Sequence, residues 1–436
     1  MTQASKVTTR FPIESDLRAD RVGRLSDLIN EVYDDAESGM WRRKGVRTNP
    51  AEVERFLRAR ALILAEIDGV LVGSVNVNLM SDGVGEFGML VADRKYRGEG
   101  IGSALVEHAE RWAREHACHT MRLEVLSPRH WTHPSKEFLR QWYSRIGYTP
   151  QATEPFEAMH SELVPELATE CNFTVWHKSL GGHAAVNGIQ IYYELHGRRD
   201  GLPLVLLHGG GSTIEITFSK VLPVFAGSRR VIAVEEQGHG RTTDRDAPVT
   251  FESSADDVAG LLRYLKVGKA DVFGFSNGAS IALQVAIRHP RLVRKMVFAS
   301  SFTRRDGAQP QLWEFMRQAD FSNMPQPLKD AFLRVNPDSQ KLKTMHDKDA
   351  ARMRSFQDVP NELVKSVGSP TLVVVGDRDI VRLEHAVELT RLIAGARLLI
   401  LPGGHGDYLG EAVMTQKDTR YPELTARLIE EFLDAP

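Results

Sequence analysis

The feature that most constrains this chain is a serine placed between glycines where a strand passes directly into a helix. The apolar run Val272–Phe275 predicts a buried strand, and the residues Ala279–His289 have the pattern of a helix. Between them lies Gly-x-Ser-x-Gly, with Gly274 and Gly278 on either side of Ser276. Only small residues fit beside so sharp a turn, which raises the serine hydroxyl above the end of the sheet. The pattern therefore predicts a nucleophile.

A serine nucleophile needs a base, and the base needs an acid that orients it. Downstream, the predicted strand Thr371–Val375 is followed by Asp377 and Asp379, and the strand Leu398–Leu401 is followed by His405. Residues just past the carboxyl ends of parallel strands meet at the edge where ligands bind. We predict His405 as the base and Asp379 as its acid, because Asp379 lies farther along the loop. Asp377 is interpreted as support for the turn.

Two backbone N–H donors are needed to stabilise the oxyanion that forms during acyl transfer. One is predicted to be the amide of Asn277, directly after the nucleophile. The other is assigned to Gly210 in the run His208-Gly-Gly-Gly211, which follows a buried strand. His208 is interpreted as a brace for this loop. Three further histidines are interpreted as structural or solvent-facing: His239, His346 and His385.

The second half of the chain alternates strands and helices, which predicts a largely parallel sheet covered on both faces. Only helical patterns occur between Thr303 and Lys365, so this segment is predicted to be an insertion. Its apolar side chains either line a substrate pocket or pack the insertion onto the core: Trp313, Phe315, Met316, Phe321, Met324, Met345, Met353 and Phe356. Its arginines Arg304, Arg305 and Arg317 either meet a carboxylate or are solvated.

The first half predicts a smaller mixed α/β domain. Two strand-like runs flank Asp68-Gly69, a dipeptide typical of tight hairpins, and strands at Gly85–Val91 and Met121–Leu126 are each followed by a helical pattern. The short segment 179–183 is predicted to be a flexible joint. The domains are thus expected at residues 1–180 and 181–436, the latter with a cap at about 303–365.

A glycine-rich turn separates the strand that ends near Val91 from the next helix. Backbone N–H groups can converge there, and the helix N-terminus adds partial positive charge, so a pyrophosphate could be held. Such a turn also occurs for purely structural reasons. Its residues are Arg97, Gly98, Glu99, Gly100, Ile101 and Gly102.

Together with its surroundings, this turn resembles the acyl-CoA signature of the GNAT acetyltransferase superfamily. Arg97, Gly100 and Gly102 match the signature, and Trp142-Tyr-Ser-Arg-Ile-Gly-Tyr148 matches a later family motif. The resemblance implies acetyl-CoA as co-substrate and direct acetyl transfer to an amine. The implied cofactor-binding residues are Met89, Leu90, Val91, Arg97, Gly98, Glu99, Gly100, Ile101 and Gly102.

The same resemblance implies an acid and a base for the transfer. Tyr143 aligns with the acid usual in the family, and its alternative interpretation is a buried helix aromatic. Glu86, ahead of the cofactor turn, is the first candidate for the base, and Glu124 is the second. The alternative for Glu86 is a solvated carboxylate at a strand edge.

Residues 185–436 resemble the α/β-hydrolase superfamily. The His208-Gly-Gly-Gly211 run, the segment Gln237–Arg241, the serine turn and the two later strand ends occur in family order. The run Glu235-Glu236-Gln237 departs from the Asp-x-Arg common at this place, which we interpret as a variation in a structural loop. The resemblance implies a Ser-His-Asp hydrolase with a cap, and it leaves the bond that is cleaved open.

Composition excludes several other classes of protein. The 436 residues carry 55 basic and 57 acidic side chains, so no overall positive field is available for nucleic acid or an anionic membrane. Cys118 and Cys171 are too few for a disulfide framework or a thiolate metal site. No apolar run approaches the ~20 residues of a membrane span, and the start lacks a secretory signal. We expect a cytoplasmic protein that acts on small molecules and needs no metal.

The leading hypothesis is a bifunctional enzyme, an N-acetyltransferase fused to a hydrolase that cleaves a small ester, amide or related substrate through an acyl-enzyme. A second hypothesis keeps the hydrolase and makes the first domain a non-catalytic acyl-CoA-binding or regulatory module. A third makes the chain a non-catalytic scaffold. The joint presence of Ser276, Asp379 and His405 argues against the third.

Overall fold

The computed structural model describes residues 7–43, 47–80, 83–198, 200–411, 413 and 419–436. The chain divides into two compact units, one ending at Leu180 and the other beginning at Gly181.

The first unit is built on one mixed sheet with the strand order β1-β2-β3-β4-β5-β7-β6. Its strands are β1 (Thr8–Arg10), β2 (Leu62–Ile67), β3 (Val70–Leu79), β4 (Val84–Ala92), β5 (Thr120–Pro128), β6 (Thr149–Pro155) and β7 (Cys171–Ser179). Neighbouring strands run antiparallel except β4 and β5, which are parallel. Its helices are α1 (Ala19–Ala36), α2 (Pro50–Arg58), α3 (Ile101–Glu115), α4 (Pro134–Arg145) and α5 (Phe156–Met159).

Both faces of this sheet are apolar because successive side chains of a strand point to opposite sides. In β2, Ile63 and Ala65 face a cluster that includes α3, whereas Leu62 and Leu64 face a cluster that includes α1 and α2. The helix predicted after the strand Gly85–Val91 is confirmed as α3, and its apolar side packs in the first of these clusters. Helices α1 and α2 were not predicted from the sequence.

The second unit contains an eight-stranded sheet with the order β15-β14-β13-β12-β10-β11-β9-β8. Its strands are β8 (Gly181–Val186), β9 (Ile189–Gly197), β10 (Leu204–Leu207), β11 (Arg230–Val234), β12 (Ala270–Phe275), β13 (Val293–Ala299), β14 (Thr371–Gly376) and β15 (Arg397–Leu401). The six strands from β15 to β11 are parallel, and β9 and β8 complete one edge as an antiparallel hairpin.

Helices cover this sheet on both sides, as the alternating pattern predicts. The helices outside the insertion are α6 (Ile214–Phe218), α7 (Leu222–Ser228), α8 (Phe251–Tyr264), α9 (Asn277–Arg288), α14 (Leu383–Leu392) and α15 (Tyr421–Asp434). In β10, Leu204 and Leu206 pack in a cluster with α7 and α15, and Val205 and Leu207 pack in a cluster with α8, α9 and α14.

The insertion between β13 and β14 is helical, as expected. It contains α10 (Pro310–Arg317), α11 (Gln326–Val335), α12 (Ser339–Arg354) and α13 (Asn361–Lys365), and we call the segment 303–365 the cap. The flexible joint expected at 179–183 falls at the division between the two units, where β7 ends at Ser179 and β8 begins at Gly181. Ser179 pairs with Thr120 of β5, and Gly181 pairs with Glu194 of β9.

Candidate active site

Ser276 lies on the tight turn between β12 and α9. Its φ of 55° and ψ of −120° are unusual for a residue with a side chain, and such strain is concentrated at functional positions. The flanking glycines are required by space, since a Cβ on Gly274 would lie 2.5 Å from the Cα of Ala279, and a Cβ on Gly278 would lie 2.6 Å from the carbonyl oxygen of His208.

The structure brings the three residues predicted as nucleophile, base and acid into one hydrogen-bonded line. Ser276 Oγ lies 3.1 Å from His405 Nε2, and His405 Nδ1 lies 2.8 Å from Asp379 Oδ1. They follow β12, β15 and β14, whose carboxyl ends share one edge of the sheet. Asp377 does not join the line, because its Oδ1 accepts a hydrogen bond of 2.8 Å from the amide of Gly403 in the turn before His405.

The buried carboxylate of Asp379 is held by groups that the sequence analysis did not predict. Ser300 Oγ, just past the end of β13, donates a hydrogen bond to Asp379 Oδ2, and the amide of Gly376 donates to the same oxygen at 3.2 Å. The hydroxyl of Tyr408 lies 2.6 Å from Ser300 Oγ. The position of Ser300 at a strand end, beside the strand that carries Asp379, is the signal that could have identified it.

The electrostatics of the Asp379–His405 pair favour an ionised acid. Burial alone would raise the pKa of Asp379, but His405 and the hydrogen bonds from Ser300 and Gly376 hold it below its usual value. Burial alone would lower the pKa of His405, and Asp379 reverses the effect and raises it above 6.5. His405 can therefore accept a proton at Nε2 while its Nδ1–H remains hydrogen-bonded to Asp379.

The two residues predicted for the oxyanion hole flank this line. Asn277 is the first residue of α9, whose first amides have no partner within the helix. In the His208–Gly211 loop, the Gly209 amide donates to Thr217 Oγ1 at 3.4 Å, and the Gly211 amide donates to His239 Nε2 at 3.2 Å. Gly210 lies between these two hydrogen-bonded amides and beside Asn277, the other residue predicted for the oxyanion hole.

The histidines interpreted as structural make structural contacts. His208 is fully buried and accepts a hydrogen bond of 3.2 Å from the amide of Glu236. His239 supports the Gly211 amide, and His385 Nε2 accepts from the amide of Thr303 at 3.1 Å. His346 contacts the ring of Phe321 in the cap.

The cap packs over the Ser276 end of the second unit. A Cβ on Gly211 would lie 3.5 Å from Met324 and 3.6 Å from Leu328, so these side chains border the oxyanion loop. Other apolar cap residues pack onto the core or each other, and the rings of Trp313 and Phe356 are 5.8 Å apart. Phe315 is exposed. The cap arginines have acidic or aromatic partners: Arg304 pairs with Glu388, Arg305 stacks on Trp313 and Arg317 pairs with Glu314.

The loop Glu235-Glu236-Gln237 also receives a physical explanation. Glu235 is buried and accepts hydrogen bonds from the amide and the guanidinium of Arg241. Glu236 Oε2 accepts a hydrogen bond of 2.9 Å from Arg352 of cap helix α12. Glu236 therefore connects the core to the cap. Its partner Arg352 could not be identified from the sequence pattern.

In the first unit, the glycine-rich turn leads into α3. Gly98 and Gly100 have φ values of 97° and 78°, and a Cβ on either would meet no atom within 4 Å, so the space beside them is open. Helix α3 begins at Ile101, and its first-turn N–H groups point out of the helix N-terminus. A pyrophosphate fits this chemistry.

Strands β4 and β5 separate beside this turn. They pair at Val84–Thr120, Gly85–Met121 and Glu86–Arg122, and among the described residues no later pair joins them. Met89, at a φ of 47°, lies in the segment of β4 that has left β5. Backbone groups of that segment can therefore pair with an extended ligand, and Met89, Leu90 and Val91 were among the implied acetyl-CoA-binding residues.

The residues predicted as acid and base of acetyl transfer lie on opposite faces of the sheet. Tyr143 is buried and its ring lies 6.1 Å from that of Phe87 in β4. Glu86 is adjacent to Phe87 along the strand and points the other way, where Arg122 contacts both Glu86 and Glu124. Burial raises the pKa of Tyr143, so its hydroxyl keeps its proton.

No helix in the described part of the chain is long and apolar enough to span a bilayer. Within the same residues, no group of three or more His, Cys, Asp or Glu side chains is arranged to hold a metal ion.

Comparison with known proteins gives two family matches and several relatives. Residues 26–147 match the acetyltransferase (GNAT) family, and residues 203–342 match the alpha/beta hydrolase fold. Serine hydrolase BPHL of Homo sapiens is 28% identical over 234 residues, which cover 50% of this chain and 78% of that protein. The 2-hydroxymuconate semialdehyde hydrolase of Pseudomonas sp. (strain CF600) is 39% identical over 111 residues, 25% of this chain and 39% of that relative.

Among solved structures, the enol-lactonase from Burkholderia xenovorans LB400 is similar with a TM-score of 0.47 and 21% identity, covering 58% of this chain and all of that one. The sheet of each unit agrees with the family matched by its sequence. The chain thus joins a domain of the GNAT acetyltransferase family to a domain of the alpha/beta-hydrolase fold.

Proposed function

We propose that the second unit is a serine hydrolase that cleaves a small ester, amide or related substrate through an acyl-enzyme. The observation that carries this proposal is the hydrogen-bonded line from Ser276 Oγ through His405 to Asp379. The relatives named as hydrolases agree with it.

In the first step, Ser276 Oγ attacks the carbonyl carbon of the substrate, and His405 Nε2 takes the hydroxyl proton. The carbonyl oxygen becomes an oxyanion that accepts hydrogen bonds from the Gly210 and Asn277 amides. The tetrahedral intermediate then breaks its bond to the leaving group, which receives the proton from His405. The product of this step is an acyl group on Ser276.

In the second step, water attacks the acyl carbon after His405 takes one of its protons. The second tetrahedral intermediate breaks its bond to Ser276 Oγ and releases the acid, and His405 donates the proton it took from water to Ser276 Oγ. Asp379 keeps its charge throughout and stabilises the imidazolium in both steps.

The test is Ser276→Ala with a panel of p-nitrophenyl esters and amides. We expect a loss of kcat on the order of 10⁶-fold, as for removal of other triad nucleophiles. Binding of acetyl-CoA by the same variant, measured by calorimetry, should be unchanged. Residual turnover above about 1% of wild type would contradict this role for Ser276.

For the first unit we propose an acetyl-CoA-binding site at the glycine-rich turn and the gap between β4 and β5. The open space beside Gly98 and Gly100 supports it. Acetyl transfer to an amine, which would make the protein bifunctional, is the finer proposal. The alternative is a unit that binds acyl-CoA without catalysis, and the placement of Tyr143 and Glu86 on opposite faces supports it.

A further inference from the structure

A buried cluster of three ionised side chains lies where the cap meets the oxyanion loop. The Asp349 cluster consists of Asp349 and Arg352 from α12 and Glu236 from the loop after β11. Arg352 donates to Glu236 Oε2 at 2.9 Å and also to Asp349 Oδ1. Each of the three residues is less than 10% exposed. Charges this well shielded from water act strongly on their neighbours.

Asp349 places a carboxylate directly beside the predicted oxyanion hole. A Cβ on Gly210 would lie 2.6 Å from Asp349 Oδ2. The side-chain amide of Asn277 donates to Asp349 Oδ1 at 3.2 Å and to Oδ2 at 3.4 Å. The carboxylate thus touches both residues whose backbone amides we assign to the oxyanion. A substrate carbonyl bound there brings its own substituents close to Asp349.

The cluster carries an excess negative charge. Two carboxylates share one guanidinium, and Glu236 Oε1 has no hydrogen-bond partner among the described residues. Asp349 and Glu236 raise the pKa of His239, but Nε2 accepts a hydrogen bond from the Gly211 amide and Nδ1 lies 3.0 Å from the carbonyl oxygen of Gln237, an arrangement that only a neutral ring can make. Lys348, next to Asp349 in the chain, is paired with Asp244.

The two oxygens of Asp349 are not equally satisfied. Oδ1 is paired with Arg352, whereas Oδ2 has a long contact of 3.4 Å from Asn277 and lies 3.7 Å from His239 Nε2. A carboxylate oxygen can accept two short hydrogen bonds. Oδ2 therefore retains capacity for a donor that enters beside the oxyanion loop.

We propose that Asp349 determines the substrate class of the hydrolase: it selects acyl groups with a hydroxyl or ammonium next to the scissile carbonyl and rejects those with a carboxylate there. The donor pairs with Asp349 Oδ2 while the carbonyl oxygen occupies the oxyanion hole. A carboxylate at the same place faces a cluster of like net charge in a dry site, which is strongly unfavourable. This inference rests on the proposed serine hydrolase function.

The experiment compares four p-nitrophenyl esters of similar size: propanoate, hydroxyacetate, aminoacetate and the half ester of malonate. Each kcat/KM is divided by the rate of that ester with hydroxide, which removes differences in intrinsic reactivity. We expect the normalised kcat/KM of wild type to be about tenfold higher for hydroxyacetate and aminoacetate than for propanoate. For the malonate half ester it should be lower than for propanoate by about tenfold or more. Differences of this size correspond to one or two polar contacts.

Asp349→Asn keeps the size of the side chain and removes its charge. It should lower the ratio of normalised kcat/KM for aminoacetate to that for the malonate half ester by about tenfold or more. Asp347→Asn is the matched control. It lies on the same helix, is exposed and pairs with Lys343, and its ester preference should equal that of wild type.

The possible results separate the two proposals. If wild type hydrolyses the malonate half ester with a normalised kcat/KM equal to or above that of aminoacetate, the specificity assigned to Asp349 is overturned. The same holds if a folded Asp349→Asn variant keeps the order of the four esters unchanged. If that variant does not fold, the order measured with wild type decides. Failure of wild type to hydrolyse any of the four esters, or any other ester or amide, overturns the hydrolase proposal itself.

Discussion

Ser300 Oγ donates a hydrogen bond to Asp379 Oδ2, the carboxylate oxygen that does not contact His405. The other oxygen, Oδ1, lies 2.8 Å from His405 Nδ1. One side chain thus engages both neighbours through separate oxygens, which fixes the plane of the carboxylate and hence the ring of His405. Tyr408 continues the chain of hydrogen bonds behind Ser300.

Replacing Ser300 should weaken the proposed hydrolase without abolishing it. Ser300→Ala removes a hydrogen bond to a buried carboxylate, a contact worth about 1.5–3 kcal/mol. We expect kcat for ester hydrolysis to fall roughly tenfold or more while KM changes little. Ser301→Ala is the control, because Ser301 Oγ contacts Ser280 Oγ at 2.8 Å instead of Asp379. Equal losses in both variants would contradict a positioning role for Ser300.

The pH dependence of hydrolysis should report the protonation of His405. Burial lowers the pKa of His405, but Asp379 raises it above 6.5 in the folded protein. Since the base must be unprotonated, kcat/KM should rise with pH and level off only above that pKa. Asp379→Asn removes the charge that raises the pKa, so the rise should move to lower pH while kcat falls on the order of 10⁴-fold. A profile flat from pH 5 to 8, the range in which a histidine base titrates, would contradict His405 as the base.

Glu411 needs a separate control in the same pH range. Its burial raises its pKa to about 7, and its Oε1 lies 3.3 Å from Thr217 Oγ1. Glu411→Gln removes this titration and one of the negative charges that raise the pKa of His405. We expect the rise in kcat/KM to persist in the variant and to shift to lower pH. If the rise in kcat/KM disappears in Glu411→Gln, the titrating group that controls hydrolysis is Glu411.

The Ser276 site could be largely predicted because it depends on local chemistry at strand ends. The glycines around Ser276 are dictated by steric contact, and Asp379 and His405 follow strands that the apolar pattern identifies. Ser300 also follows a strand, and its position at that strand end is a signal for the site, but the sequence does not show that its partner is Asp379. Asp349 and Arg352 lie on a cap helix whose position over the core is a tertiary property, so no spacing in the sequence could place them beside Gly210.

The first unit was harder to read. The cofactor turn is a local pattern of glycines, which the sequence shows directly. The face on which a strand residue lies depends on the register of the sheet, and β4 has an irregularity in its pairing with β3 between Ser74 and Asn76. The opposite placement of Glu86 and Tyr143 therefore emerged only from the structure. Likewise, the strand partners of Ser179 and Gly181, within the joint expected at 179–183, are set by pairing with distant segments and could not be predicted from the local glycines.

Acetyl transfer, if the first unit catalyses it, should depend on the hydroxyl of Tyr143. Burial raises the pKa of that hydroxyl, so it is protonated at neutral pH and has a proton to donate to the departing thiolate. We expect Tyr143→Phe to lower kcat about 10²-fold or more across amine acceptors, with no change in the Kd of acetyl-CoA. Tyr148→Phe is a comparison within the same aromatic cluster, since the Tyr148 hydroxyl donates to Glu110 at 2.8 Å. Unchanged transfer by Tyr143→Phe would show that the acid is another group.

Binding of acetyl-CoA should be blocked by a bulky side chain in the glycine-rich turn. Calorimetry with wild type is expected to give micromolar binding, and Gly100→Phe should abolish it, because the new side chain fills the open space in which we place the pyrophosphate. Gly69→Phe is the matched control. Gly69 has the same φ of 78° and open surroundings, but it lies in the turn between β2 and β3.

The two variants carry the same backbone strain, so a difference between them measures occupancy of the proposed site and not a loss of stability. Equal weakening in both would attribute the effect to strain. Absence of binding by wild type would mean that the turn from Arg97 to Gly102 is only structural, and the protein would then be a hydrolase with an appended domain. If binding is found but wild type transfers acetyl to no amine, the first unit acts as a binding module.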